Sequence, residues 1–203
     1  MLRHNQHIYL ASGSPRRREL LKQIGVNFEV LLLRALPPRT DVDETPIAGE
    51  QPEAYVLRVA RSKAEAGWLA AEARHLPKHV VLGADTSVSL DGEILGKPVS
   101  RDNAEDMLKK LSGKRHSVYT SVALSYDGQT EIRLSVSEVV FAELNEVEIK
   151  RYVMTGEPLD KAGGYAIQGR AAAFVSRIEG SYSGVMGLPL YETAQLLKQF
   201  GVY

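Results

Sequence analysis

A dense group of chemically capable side chains follows a run of small residues near the N-terminus. Residues 12–14, Ser-Gly-Ser, lead into Pro15 and three arginines at residues 16–18. Cations in the first turn of a helix are unfavourable next to the positive end of its dipole. Free backbone N–H groups, a glycine that allows close approach and convergent guanidinium groups suit a bound phosphate. A solvated arginine cluster, partly neutralised by Glu19, is the alternative.

A lysine interrupts the apolar face of a helix predicted over residues 52–73. Val56, Val59 and Ala64 mark that face by their helical spacing, and Lys63 falls inside it. Two interpretations stay open. Lys63 either reaches solvent from the edge of the apolar stripe or points into a cleft, where it would meet a phosphate or a carboxylate.

An acidic residue stands within a predicted strand at residues 80–90, although aspartate is a poor strand residue. Gly83 leaves space for another group to approach the backbone. By alternation Asp85 shares a face with Ser87 and Ser89, so an ordinary exposed polar face is the alternative to a functional acid.

Further charged residues lie elsewhere in the chain. Glu44 belongs to the acidic run at residues 41–44, and Lys97 follows Asp85 by twelve positions. With Lys63, they would form a metal–phosphate site if folding brings them together. Sequence spacing does not decide this.

A glycine-rich segment at residues 160–169 carries Asp160, Lys161 and Gln168 among three glycines. Its composition indicates a structured functional loop. The alternative is a tight turn between a helix and a strand.

Composition excludes several classes of function. The 25 Lys and Arg balance 25 Asp and Glu, so the chain has no basic field for a nucleic-acid backbone. No cysteine is present, which excludes disulfides, thiolate nucleophiles and Cys-ligated metal centres. Neither a P-loop nor a Rossmann motif occurs. The five histidines have no ligand spacing and are expected to be surface or packing residues.

The chain has no signal-peptide core and no apolar stretch near the ~18 residues that a membrane span needs. We therefore expect a cytoplasmic protein without a membrane partner.

The elements that must position these residues form an alternating set. Helices are predicted from Pro15 to before Gly25 and at residues 52–73, 103–111, 145–154 and 189–200; strands at 8–11, 30–33, 80–90, 94–95, 117–126, 131–141 and 171–178; and loops at 37–51 and 156–169. Asp91-Gly92 and Asp127-Gly128 are hairpin signals, which an all-parallel sheet would not contain. We predict an α/β fold with a mixed twisted sheet and flanking helices. Residues 1–203 would form one domain, with a smaller lobe within about 86–140.

The order of these signals resembles the Maf family of nucleotide pyrophosphatases, from about residue 8 to residue 200. The segments that carry the resemblance are Leu10-Ala11-Ser12-Gly13-Ser14-Pro15-Arg16-Arg17, Asp43-Glu44, Arg61-Ser62-Lys63-Ala64, Gly83-Ala84-Asp85-Thr86, Gly96-Lys97-Pro98, Asp160-Lys161-Ala162-Gly163 and Gly187-Leu188-Pro189. The resemblance implies two lobes around a cleft, as in inosine triphosphate pyrophosphatases. It also implies hydrolysis of nucleoside triphosphates to monophosphate and pyrophosphate, a divalent cation, Mg²⁺ or Mn²⁺, and a homodimer as one available state.

The resemblance also implies roles for individual residues. Asp85, Lys63, Lys97 and Glu44 would be catalytic, with Glu44 and Asp85 holding the metal. The residues implied to bind substrate are Ser12, Ser14, Arg16, Arg17, Thr86, Asp160, Lys161 and Gln168.

Within the family, Arg17, Thr86 and Gln168 resemble the branch that acts on dTTP and UTP. Gln168 can accept a hydrogen bond from N3–H and donate one to O4 of a pyrimidine, whereas a carboxylate only accepts.

Two alternative functions are a non-catalytic nucleotide-sensing regulator of septum formation and a purine nucleotide sanitiser of the inosine-triphosphate type.

Overall fold

The computed structural model describes residues 7–34 and 40–203. His4 and the start of the loop predicted at residues 37–51 lie outside the described residues. The helices are α1 Pro15–Gln23, α2 Pro52–Ala73, α3 Arg101–Leu111, α4 Glu146–Met154, α5 Tyr182–Met186 and α6 Leu190–Gln199. The strands are β1 Ile8–Leu10, β2 Phe28–Val30, β3 Val81–Leu90, β4 Glu93–Leu95, β5 Arg115–Tyr126, β6 Gln129–Phe141 and β7 Val175–Glu179. Three short 3-10 helices span Glu157–Asp160, Ala162–Gly164 and Arg170–Phe174.

The described strands form one mixed sheet, as predicted. Its order is β2-β1-β3-β5-β6-β7, and β4 pairs with the outer part of β3. β1 runs parallel to both β2 and β3, whereas the remaining pairs are antiparallel. Both predicted hairpin turns are confirmed: Asp91 and Asp127 adopt positive φ values of 52° and 47°, as tight turns of this type require.

Helix α2 packs directly on β3, and small residues make this approach possible. A Cβ on Gly83 would lie 2.5 Å from the backbone N of Ala64 and 2.7 Å from the carbonyl O of Ala60. On the helix side, a Cβ on Gly67 would lie 2.6 Å from Val81 Cγ1. The close approach predicted from Gly83 is therefore confirmed, and it brings α2 against the face of β3 that carries position 85.

Two predicted strands differ from the structure. The second strand spans Phe28–Val30 rather than residues 30–33, although Leu31 still donates a backbone hydrogen bond to Leu10. Residues 171–174, predicted as strand, lie in a 3-10 helix, because the Glu157 carboxylate accepts the backbone N–H of Arg170 at 3.1 Å and fixes a turn there. Only the later residues continue as β7.

Helix α5 is missing from the sequence prediction. Five residues are too few to show a hydrophobic period, and its start is defined instead by the Ser181 side chain, which accepts the backbone N–H of Gly184 at 3.0 Å. Across residues 7–34 and 40–203, no helix has both the length and the apolar character needed to cross a bilayer.

His116 is a packing residue, as expected. It is buried among aromatic rings, its Nε2 lies 2.9 Å from the hydroxyl O of Tyr165, and it stacks edge-on against Phe141. Burial lowers the pKa of His116 from 6.5 to about 4.

This lowered pKa predicts an acid-sensitive contribution to stability. Because the unfolded chain binds the proton more readily, the contribution is complete above pH ~6.5 and is lost as the pH falls towards ~4, amounting to ~3 kcal/mol. The free energy of unfolding, measured by chemical unfolding, should fall less steeply from pH 7 to pH 4 in His116→Gln than in wild type. In His75→Asn, where the replaced histidine is exposed, the fall should match that of wild type. Equal pH slopes for wild type and His116→Gln would contradict the assignment.

Candidate active site

Lys63 on α2 bridges two carboxylates from separate parts of the chain. Its Nζ lies 2.8 Å from Asp85 Oδ1 and 3.0 Å from Glu44 Oε2. The Lys63 and Asp85 side chains are only 11% and 9% exposed, whereas Glu44 is 46% exposed. Lys63 therefore forms a largely buried ion pair with Asp85 and a partly exposed one with Glu44. The alternative, in which Lys63 reaches solvent from the edge of the apolar stripe, is wrong.

The polar face of β3 is buried. Asp85, Ser87 and Ser89 retain 6%, 2% and 4% of their accessible surface. The alternative of a plain exposed face is therefore wrong, because neighbouring elements cover this side of the strand. Asp85 Oδ2 is buried as well and accepts no hydrogen bond from the described residues. A buried carboxylate oxygen without a partner is costly unless a ligand or ion completes it.

Arg17 in the first turn of α1 joins the N-terminal loop to the sheet. Its Nε donates to the Gly187 carbonyl at 2.8 Å, Nη1 donates to Ser12 Oγ at 3.2 Å, and Nη2 reaches Thr86 Oγ1 at 3.5 Å. Burial lowers the pKa of the Arg17 guanidinium, and the charge of Asp85 opposes that shift. Arg17 therefore bonds to Thr86, the residue after Asp85 on β3, and feels the charge of Asp85 without a hydrogen bond or ion pair between the two among the described residues.

The start of α1 keeps donors available. Ser14 occupies the N-cap position without a side-chain capping bond, and its own backbone N–H points to Ser12 Oγ at 3.3 Å. Pro15 is the first helical residue and has no N–H. The first turn, which includes Arg16 and Arg17, combines a helix N-terminus with two guanidinium groups, the arrangement that binds anions.

Thr86 is fixed from behind by a residue that the sequence analysis missed. The buried Thr120 hydroxyl donates to the Gly184 carbonyl at 2.7 Å, and its Oγ1 lies 3.1 Å from Thr86 Oγ1. Because the Thr120 hydroxyl proton is donated to the Gly184 carbonyl, the Thr120 oxygen accepts a hydrogen bond from the Thr86 hydroxyl. Thr120 faces Thr86 across paired antiparallel strands, so its importance follows from strand register and carries no local sequence signal.

The glycine-rich segment reaches the same region through Arg16. Arg16 Nη1 lies 3.7 Å from Asp160 Oδ2, and Lys161 pairs with the same carboxylate and donates to the Glu157 carbonyl at 3.2 Å. Gly163 donates its backbone N–H to the Gly96 carbonyl at 3.0 Å, which ties this segment to the turn that carries Lys97. The segment is structured, with two of the 3-10 helices, rather than a single tight turn.

Two predicted site residues stay apart from the others. Lys97 and Gln168 are exposed, and neither forms an ion pair or hydrogen bond with another predicted site residue in the described part of the chain. Their roles at the site therefore stay predictions.

Tyr55 is a second residue that the sequence analysis missed. Its hydroxyl donates to the Glu44 carbonyl at 3.0 Å. Burial raises the pKa of Tyr55, and the charges of Asp85 and Glu44 raise it further. Tyr55, Val59 and Lys63 repeat every four residues along α2, and that spacing could have placed Tyr55 beside the lysine.

The two carboxylates are suitable ligands for a hard divalent cation. Mg²⁺ binds through one or two carboxylates and completes its shell with water and substrate phosphates. Asp85 Oδ2, buried and unpartnered, and the partly exposed Glu44 provide such oxygens. The described residues contain no group of three or more His, Asp or Glu arranged around one metal position, so ligand oxygens from substrate would have to complete the shell.

The fold and the site together define a class: an α/β protein whose mixed sheet and helix α2 bring two carboxylates to one lysine, with an arginine of α1 bound to the next residue of the same strand. The Maf-like protein family matches residues 7–200, and the chain belongs to that family.

Relatives match over nearly their full length. The dTTP/UTP pyrophosphatase of Nitrosomonas europaea is 57% identical, covering 96% of this chain and 95% of the relative. The proteins of the same description from Aromatoleum aromaticum and Dechloromonas aromatica are 58% and 54% identical, each over 96% of this chain and over 95% and 97% of the relative. Among solved structures, the Staphylococcus aureus Ham1 protein aligns with a TM-score of 0.49 and 20% identity, over 96% of this chain and 97% of that one.

Proposed function

We propose that this protein hydrolyses dTTP and UTP to the nucleoside monophosphate and pyrophosphate. The observation that carries the proposal is the Lys63 bridge between Asp85 and Glu44, at 2.8 Å and 3.0 Å, with Asp85 close enough to act electrostatically on the half-buried guanidinium of Arg17. The names of relatives at 50–58% identity support the same activity and substrates.

The triphosphate would lie over residues 12–17. The N-terminal N–H groups of α1, Arg16 and Arg17 would neutralise phosphate oxygens, and Ser12 and Ser14 would add hydroxyl contacts. The exposed Lys97 would contact the end of the triphosphate, and Asp160 and Lys161 would orient Arg16. Charge neutralisation and positioning are most of what phosphoanhydride cleavage requires.

Asp85 would act as the general base. Its carboxylate accepts a proton from water as the water oxygen bonds to the α-phosphorus and the bond from that phosphorus to the bridging oxygen breaks, releasing pyrophosphate. Lys63 holds Asp85 Oδ1 at 2.8 Å, so Oδ2 would offer one lone pair to the water and the other to the cation. The ammonium also offsets the negative charge that gathers in the site.

Glu44 and Asp85 would hold the divalent cation, Mg²⁺ or Mn²⁺. When bound, the cation supplies positive charge to the phosphate oxygens. On this proposal the protein would act on free nucleotides in the cytoplasm, and we expect neither nucleic acid nor membrane as a partner.

A substrate panel tests the proposal. Purified protein with Mg²⁺ or Mn²⁺ is incubated with UTP, dTTP, CTP and GTP, and pyrophosphate release is measured. We expect release from UTP and dTTP well above that from GTP. Binding of UTP without release of pyrophosphate would overturn the proposal in favour of a nucleotide-sensing regulator of septum formation. Preferential hydrolysis of purine nucleotides would favour a purine nucleotide sanitiser of the inosine-triphosphate type.

Gln168 is proposed to recognise the base. Its exposed amide can both accept from N3–H and donate to O4, and a carboxylate loses the donor. Gln168→Glu should lower kcat/KM for UTP and dTTP about 30-fold and that for GTP less than about threefold, because only the pyrimidine edge loses a partner. Steady-state kinetics checks this, with exposed Gln129→Glu as the control. Equal losses on pyrimidine and guanine nucleotides would remove the base-recognition role.

A further inference from the structure

Glu44 is placed by an irregular segment. Residues 40–51 contain neither helix nor strand, and the Glu44 side chain is 46% exposed. Contact with Lys63 does not by itself fix the backbone, since both side chains can rotate. Something else must therefore hold this part of the chain against α2.

Three consecutive carbonyl oxygens of the segment are bound by two side chains of α2. Arg58 Nη1 donates to the Asp43 carbonyl at 3.2 Å, Tyr55 Oη to the Glu44 carbonyl at 3.0 Å, and Arg58 Nη2 to the Thr45 carbonyl at 3.1 Å. Tyr55 and Arg58 lie one helical turn apart, so a single turn of α2 donates hydrogen bonds to the carbonyl oxygens of three consecutive residues.

Arg58 is itself held rigidly. Its Nε and Nη2 form a paired contact with the Glu50 carboxylate, at 2.6 Å and 2.7 Å, and Glu50 Oε2 also accepts the backbone N–H of Ile47 at 3.0 Å. The hydrogen bond from Arg58 lowers the pKa of Glu50 to about 2, so the carboxylate stays charged at any pH at which the protein would work. Only a planar guanidinium has enough donors for this arrangement, and a lysine ammonium does not.

We propose that Tyr55 and Arg58 are positioning residues that set the Glu44 carboxylate against Lys63 and Asp85. This inference rests on the proposed function, in which Glu44 holds the cation. Helix α2 then both carries Lys63, the direct partner of the Glu44 side chain, and fixes the Glu44 backbone. The two side chains act on the reaction through Glu44 alone and do not contact the buried acid by hydrogen bond within the described residues.

A double-mutant cycle tests this dependence. Arg58→Lys keeps the positive charge but loses the planar set of N–H donors, and Tyr55→Phe removes the hydroxyl that donates to the Glu44 carbonyl. In an otherwise wild-type chain, we expect kcat for UTP to fall about tenfold and about threefold, respectively, with KM within twofold, as expected for the loss of one to two hydrogen bonds. The Mg²⁺ concentration at half-maximal rate should rise.

In a Glu44→Gln chain, the same substitutions should lower kcat no further, because the residue through which they act is already disabled. Losses that multiply in the double variants would overturn the proposal and indicate a general effect on the fold. Arg74→Lys is the matched control, since Arg74 ends the same helix and donates to the Leu32 carbonyl at 3.2 Å. It should leave kcat and the Mg²⁺ dependence unchanged.

Amide hydrogen exchange separates this inference from the proposed function. Exchange of residues 43–47 in the protein without nucleotide should accelerate about tenfold in Arg58→Lys and remain unchanged in Arg74→Lys. Unchanged exchange in Arg58→Lys would overturn the inference whatever the enzyme hydrolyses. Accelerated exchange in Arg58→Lys, together with a wild-type protein that releases no pyrophosphate, would instead support the positioning of Glu44 by Tyr55 and Arg58 and reject the proposed function.

Discussion

Asp85→Asn is expected to lower kcat for UTP about 10³-fold, the range associated with loss of a general base, while the protein keeps its fold. Asparagine has the size and shape of aspartate but does not accept the proton from water. The site should still bind nucleotide, because Arg16, Arg17 and the N-terminus of α1 are unchanged. KM should therefore move far less than kcat.

The measurement is pyrophosphate release under saturating UTP, together with thermal unfolding. Asp127→Asn is a matched control, because Asp127 also pairs with a lysine, at 3.2 Å from Lys78 Nζ, but lies on an exposed hairpin turn at positive φ, where asparagine is favoured. It should retain full activity. A residual rate of several per cent in Asp85→Asn would mean that another group activates the water.

Local signals in the sequence predicted most of the elements. Helix α2 begins at Pro52 and ends at Ala73, as its proline start and apolar spacing indicate. Both Asp-Gly turns and the long strands β3, β5 and β6 that adjoin them are also close to where the sequence places them. These features depend on neighbouring residues alone, so local physics suffices to predict them.

The burial of Asp85 could not be predicted in this way. Alternation along β3 correctly assigns Asp85, Ser87 and Ser89 to one face, but a polar face normally points to solvent. Gly83, which lets α2 approach, was the local sign that something covers this face. Which side chain arrives there depends on a contact across 22 positions, between Lys63 and Asp85.

The residues that the sequence analysis missed share this dependence on long-range contacts. Tyr55 and Arg58 act on the backbone of residues 43–45, and Thr120 acts on Thr86 through strand register. A hydrogen bond to a backbone carbonyl places no demand on the type of the residue that bears it. Helical spacing places Tyr55 on the same side of α2 as Lys63, but no pattern of residue types shows which carbonyl such a side chain reaches.

Lys63→Met is expected to lower kcat about 100-fold by removing one of the charges that neutralise the developing phosphate anion. It should also lower the free energy of unfolding by about 3 kcal/mol, because removing one partner leaves the buried Asp85 charge uncompensated. Lys110→Met is the matched control. Lys110 forms a 2.7 Å pair with Glu93 that is about half exposed on both sides, and such pairs contribute little.

The decisive measurement in Lys63→Met is the Mg²⁺ concentration at half-maximal rate. We expect kcat to fall, as in an impaired site, but the Mg²⁺ requirement to fall too, as in a site that binds the cation more tightly. Lys63 Nζ occupies the carboxylates that would bind the cation, at 2.8 Å from Asp85 Oδ1 and 3.0 Å from Glu44 Oε2. Without the ammonium, the two carboxylates repel each other and attract a cation more strongly. Half-maximal rate should therefore require less Mg²⁺ in the variant, with Lys110→Met unchanged. A higher Mg²⁺ requirement would show that Lys63 organises these carboxylates for the cation instead of competing with it.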